Sequence, residues 1–165
     1  MASSGIPEAA AILDRQDLVR LLGRPRNYRL VFTNGVFDLL HRGHVASLQA
    51  ARALGDRLVV GVNSDESTRR LKGQARPYQS EMDRATILAS IRFVDAVTIF
   101  GEDTPGDLIS QLLPDVLVKG ADYSEDQIAG AEAVRRAGGD VVLVQLEAGL
   151  SSSRLVDRIL AGGLE

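Results

Sequence analysis

Five short apolar stretches rich in β-branched residues punctuate the chain, at Tyr28–Phe32, Leu58–Val62, Ala96–Phe100, Val116–Val118 and Val141–Leu146. Each is too short for a typical helix, and the segments between them carry apolar residues at helical spacing. Val45, Leu48, Ala51 and Leu54 mark one such helix, Ile87, Leu88 and Ile91 another, and Leu155, Val156 and Ile159 a last one whose apolar residues should face inward. Continuous apolar strands alternating with amphipathic helices predict a parallel sheet covered on both faces, a Rossmann-like, doubly wound α/β domain.

Polar punctuation supports the same division. Asp14 can cap a short helix carrying Leu18, Leu21 and Leu22 with Gly23 as its stop, and Asn34-Gly35 should break the first long strand. Ser80 with Asp83 resembles a capping box, Thr104-Pro105 places a cap before a first-turn proline, Gly138-Gly139 ends a helix, and Ser151 or Ser152 can begin the last one. Residues 1–11 read as a flexible N-terminal tail and 12–165 as one domain, without internal repeat or interdomain linker.

Composition narrows the function classes. With 165 residues, 45% of them hydrophobic and 25% charged, one globular domain with a real core is expected. The net charge of −3 comes without a long basic run, which argues against a nucleic-acid groove and makes any anion site local. The chain has no cysteine, which removes disulfides, thiolate zinc sites and cysteine nucleophiles. No apolar run approaches the roughly 20 residues of a membrane span and the first residues lack signal-peptide character, so the protein reads as soluble and cytoplasmic.

Ligands of doubly wound sheets sit beyond the carboxyl ends of the strands, so Asn34–His44, Asn63–Arg76, Lys119–Tyr123 and Glu147–Ser153 should converge. Both histidines of the chain, His41 and His44, lie three apart at a strand-to-helix junction. Free backbone N–H groups and the helix dipole already favour an anion there, and two imidazoles can add hydrogen bonds to nucleotide phosphates. The plainer alternative is a pair of satisfied side chains; zinc would lack a third ligand. Gly35 and Gly43 allow close approach to a phosphate but serve any tight turn equally. Asp38 can orient its loop or interact with Arg42. Lys72, Arg76 and Arg84 are surface charges by default, although Lys72-Gly73 lies in an irregular segment beyond a strand. The turn from Lys119 to Tyr123 is either solvated or beside the ligand. Gly149 and Ser151 to Ser153 form a second anion cradle, one serine also serving as N-cap.

His41-Arg42-Gly43-His44 following Thr33-Asn34-Gly35-Val36-Phe37-Asp38 resembles the signature of the cytidylyltransferase-like nucleotidyltransferases. Gly61 to Ser67, Arg69 to Gly73, Glu102 to Pro105, Leu117 to Tyr123 and Ile128 to Gly130 are similar to the branch that adenylylates D-glycero-β-D-manno-heptose 1-phosphate. Many such proteins join this domain to a sugar kinase, and the chain resembles the stand-alone form. It departs from the pattern at Ser151-Ser152-Ser153, where Ser-Thr-Thr is usual, and at Ala121, where a second glycine is common.

The resemblance implies AMP transfer from ATP to heptose 1-phosphate, giving ADP-heptose and pyrophosphate. It makes His41, His44 and Lys72 catalytic. It assigns Thr33, Asn34, Gly35, Val36, Phe37, Gly43, Lys119, Gly120, Asp122, Gly149, Ser151, Ser152 and Ser153 to the nucleotide, and Asp38, Asp65, Arg76 and Arg84 to the sugar phosphate. Mg2+ is expected with the triphosphate, held mainly by phosphates and water because no acidic cage is visible and no protein metal ligand is expected. A homodimer is compatible with the sequence, which does not fix oligomeric state. Two alternatives remain: a cytidylyltransferase acting on glycerol 3-phosphate or a related small phosphate, and a nucleotide-binding regulatory module without turnover.

Overall fold

The computed structural model describes residues 10–121, 124, 127–145 and 151–162. Six strands, β1 (Ala11–Ile12), β2 (Leu30–Gly35), β3 (Arg57–Asn63), β4 (Ala96–Phe100), β5 (Val116–Gly120) and β6 (Asp140–Val144), form one parallel sheet in the order β1-β4-β3-β2-β5-β6. Around it lie α1 (Arg15–Leu22), α2 (Arg42–Arg52), α3 (Asp65–Lys72), α4 (Glu81–Ala89), α5 (Gly106–Leu112), α6 (Ala131–Arg136) and α7 (Ser152–Leu160). None of the described helices is long and apolar enough to cross a membrane.

Strand alternation divides the interior into two cores. Leu30, Phe32, Val59 and Leu117 pack with Leu18 of α1, Leu108, Ile109 and Leu112 of α5, and Val134 of α6. Val31, Val60, Val97 and Val118 pack on the other face with Leu48 of α2 and Ala85 and Leu88 of α4. Each fully buried large aliphatic or aromatic side chain contributes roughly 1.5–3 kcal/mol by leaving water, which explains why the central strands read as unbroken apolar runs. From β2 the chain winds through β3 to β4 on one side, then returns to place β5 against the other edge of β2. The direction of winding therefore reverses between β2 and β5, where such sheets open a crevice for ligands.

Several local expectations change. Asn34-Gly35 does not end β2: both residues pair with β3, Asn34 opposite Gly61 and Gly35 opposite Val62. Sheet pairing also reaches into the expected tail, because Ala11 and Ile12 pair with Ala96 and Val97 and the Ala10 amide donates to the Ala89 carbonyl. Lys72 is the last residue of α3 rather than part of an irregular segment, and Pro105 itself occupies the N-cap of α5. Ser151 caps α7 as expected, yet Ile159 is 64% exposed and Leu155 and Val156 are not buried. No residue of α7 belongs to either core among the described residues.

Candidate active site

The loop leaving β2 makes two unusual turns before α2 begins. Phe37 and Leu39 adopt left-handed backbone angles, with φ of 52° and 57°, a conformation that costs a non-glycine residue energy and must be held by its surroundings. His41 then takes an extended N-cap conformation, and His44 lies in the first turn of α2. The Gly43 amide donates to His41 Nδ1 at 3.2 Å, and the His41 amide donates to His44 Nδ1 at 3.3 Å. These bonds satisfy two backbone donors at the helix start.

They also fix the tautomers. An Nδ1 that accepts a backbone N–H leaves the proton of a neutral imidazole on Nε2, so each ring keeps one N–H donor for a ligand. The rings stack with centroids 3.9 Å apart, and the Phe37 ring meets His44 edge-on at 5.5 Å. Burial, followed by repulsion from His41, lowers the His44 pKa from 6.5 to about 4, and burial also lowers that of His41. Near neutral pH both histidines are therefore uncharged donors.

They line a cavity of about 350 Å³ at the carboxyl ends of β2 and β5. Its walls bring together Thr33, Asn34, Gly35, Val36, Phe37, Asp38, His41, Gly43, His44, Lys72, Arg76, Lys119, Gly120, Ser151, Ser152 and Ser153 from five separate elements and their connections. Thr33 Oγ1 donates to the Val118 carbonyl at 3.1 Å, the Lys119 ammonium to Asn34 Oδ1, and Ser152 Oγ to the Asp38 carbonyl. Ser47, Leu48, Val118 and Val144 complete the walls, and none was singled out as a site residue. Ser47 could have been found, since it lies one turn beyond His44 on the same helix face. Val118 and Val144 read simply as strand residues.

Asp38 lines the cavity, but its carboxylate is almost fully buried and internally bonded. It accepts the amides of Tyr78 at 2.9 Å and Gln79 at 3.0 Å and pairs with Arg76 Nε at 3.3 Å. The Arg76 guanidinium also lies 4.8 Å above the Tyr78 ring. Asp38 thus fixes the loop and holds Arg76 at the cavity wall. Asp65 and Arg84, expected beside the sugar phosphate, are not among the cavity-lining residues. They pair with each other at 2.7 Å, with the Arg84 side chain 0% exposed. Arg84 also donates to the carbonyls of Val36, Asn63 and Gln79, so its cation serves the interior rather than a ligand. Asp122 and Gly149 lie outside the described residues.

A parallel sheet that reverses at β2 and β5, with two neutral imidazole donors at a helix start beside that reversal, defines a nucleotide-phosphate-binding α/β domain. The chain belongs to the cytidylyltransferase-like family, whose model matches residues 32–157. The bifunctional protein HldE of Gluconacetobacter diazotrophicus is 50% identical over 179 residues, covering 98% of this chain and 37% of that protein. Its counterpart in Magnetococcus marinus is 57% identical over 133 residues, covering 81% and 27%. The chain therefore spans about a third of the length of the curated relatives it matches. Among solved structures, the lipopolysaccharide core biosynthesis protein of Thermoplasma volcanium GSS1 is 30% identical with a TM-score of 0.59, over 73% of this chain and 98% of that one. The pantoate-β-alanine ligase of Francisella tularensis, 17% identical with a TM-score of 0.61 over 90% and 73% of the two chains, shares the fold.

Proposed function

We propose that this domain transfers an adenylyl group from ATP to D-glycero-β-D-manno-heptose 1-phosphate, releasing pyrophosphate and ADP-heptose. The observation that carries the reading is the pair of stacked histidines whose Nδ1 atoms are occupied by backbone donors, leaving Nε2–H groups for phosphate at a helix start. The choice of heptose rests on the sequence resemblance and on the extent of identity with the HldE proteins.

An oxygen of the sugar phosphate attacks the α-phosphorus in line, and the bond to pyrophosphate breaks. His41 and His44 hold the triphosphate and donate to oxygens whose negative charge grows as that bond breaks; no covalent intermediate is needed. Lys72 and Arg76, on the cavity wall beyond β3, neutralise the acceptor phosphate and bring it to the reacting centre. Ser151 and Ser153 at the start of α7 supply further hydroxyl donors to phosphate, and the first amides of that helix further N–H donors, while the Ser152 hydroxyl is given to the Asp38 carbonyl. Among the described residues no group of three or more carboxylates and histidines is placed to hold a metal, and the Asp38 carboxylate is occupied by protein donors. A Mg2+ ion bound with the triphosphate would be held mainly by phosphate oxygens and water and would supply neutralising charge.

A pyrophosphate-release assay of the purified chain tests this reading, with ATP, CTP and GTP each offered D-glycero-β-D-manno-heptose 1-phosphate and glycerol 3-phosphate. Release should be strongest with ATP and the heptose phosphate. Turnover of CTP with glycerol 3-phosphate instead would place the chain with the cytidylyltransferases, and ATP binding without any release would make it a regulatory module.

A further inference from the structure

Arg84 is the largest completely buried side chain among the described residues, and a cation so placed must be satisfied by what surrounds it. Its Nε donates to the Gln79 carbonyl at 3.0 Å, Nη1 to the carbonyls of Val36 at 2.7 Å and Asn63 at 2.8 Å, and Nη2 to Asp65 Oδ1 at 2.7 Å. One planar group thereby joins the loop after β2, the last residue of β3 and the segment leading into α4. Two of these carbonyls adjoin the cavity machinery. Val36 precedes the left-handed Phe37, whose ring abuts His44. Gln79 accepts the Leu39 amide through its side chain at 3.2 Å and gives its own amide to Asp38, the carboxylate that holds Arg76.

We infer that Arg84 is a positioning residue that sets the separation between the histidine pair and Arg76 by fastening Val36, Asn63 and Gln79 to one rigid fork. The inference rests on the proposed transfer reaction, because that separation matters to turnover only if the histidines and Arg76 hold two different phosphates. A purely space-filling or charge-neutralising role would not require a guanidinium: a lysine keeps the charge and most of the stem but cannot direct donors to carbonyls on several sides.

Arg84→Lys should lower kcat about a hundredfold, the scale of an ångström-level misplacement. It should also raise the KM for the sugar phosphate while leaving the stoichiometry of ATP binding by calorimetry unchanged. The nuclear Overhauser contact between the Phe37 and His44 rings, recorded without substrate, should weaken. In Arg84→Ala, millimolar guanidinium should restore turnover where equal sodium chloride does not. Wild-type kcat and acceptor KM in Arg84→Lys would overturn the inference. So would a loss of activity matched by an equal loss of ATP sites with both KM values unchanged, since that marks a folding role alone. If the wild-type chain releases no pyrophosphate from ATP, the functional reading fails by itself. The Phe37–His44 contact still decides the role of Arg84: weakened in the variant it supports positioning, and intact it refutes it.

Discussion

Acidification tests the buried state of His44 directly. Burial and the neighbouring His41 hold its pKa at about 4, against 6.5 for the free side chain. Between these values the unfolded chain binds more protons than the folded one, so stability rises with pH across that interval. On lowering the pH, stability should begin to fall near 6.5 and continue falling until the folded His44 itself protonates. A depression of this size corresponds to about 3 kcal/mol, which partial exposure of the ring reduces to about 2 kcal/mol. That is a substantial share of the roughly 5–15 kcal/mol that holds a domain of this kind together. The depressed His41 acts with the same sign. Urea unfolding between about pH 7.5 and 4 should be compared with His44→Asn, whose amide oxygen can accept the His41 amide but does not titrate. The wild type should lose about 2 kcal/mol more than the variant over that range. Parallel profiles would refute the buried, neutral assignment, because every other titrating group is common to both proteins.

Further outcomes follow from the same geometry. His41→Ala and His44→Ala should each lower turnover at least about a hundredfold in steady-state kinetics with near-native circular dichroism, the scale of losing one preorganised donor; near wild-type turnover would remove that histidine from the reaction. Lys72→Ala should impair acceptor use or kcat far more than calorimetric ATP binding, since the proposed mechanism gives its cation to the other phosphate; unchanged kinetics would dismiss that role. Gly130→Ala should destabilise the fold by about 2 kcal/mol in urea titration, since the residue sits at φ +83° and an added methyl would lie 2.6 Å from Ile109 Cγ2; a stability change below about 0.5 kcal/mol would contradict this.

What could be read from the sequence was what depends on local pattern. The apolar runs located the four central strands β2 to β5 because these are buried on both faces, and β6 because its apolar run survives even at an edge, while Asp14, Ser80 and Ser151 act as N-caps because their oxygens accept nearby amides. The histidines were conspicuous because their spacing places both at one helix start. Arg84 was not legible: a lone arginine on an amphipathic helix resembles a surface cation until the Val36, Asn63 and Gln79 carbonyls are seen around it. Asp38 is similar, since its partners Tyr78 and Gln79 lie some forty residues away. Edge position hid the short β1, which pairs only with β4, and the helical spacing of Leu155, Val156 and Ile159 predicted a core to which no residue of α7 belongs among the described residues.

The reversal of winding at β2 has a mechanical consequence. β2 and β3 are in register over six residues, Leu30–Gly35, whereas β2 and β5 match over only three, Val31–Thr33 against Val116–Val118. The cavity straddles this shorter seam, with Thr33 to Asp38 on one bank and Val118 to Gly120 and Val144 on the other. A ligand held from both banks is a cross-link between the two halves of the sheet, and its binding free energy adds to the work of parting them. Occupancy should therefore slow amide exchange along β5 and β6, reaching positions that no atom of the nucleotide touches.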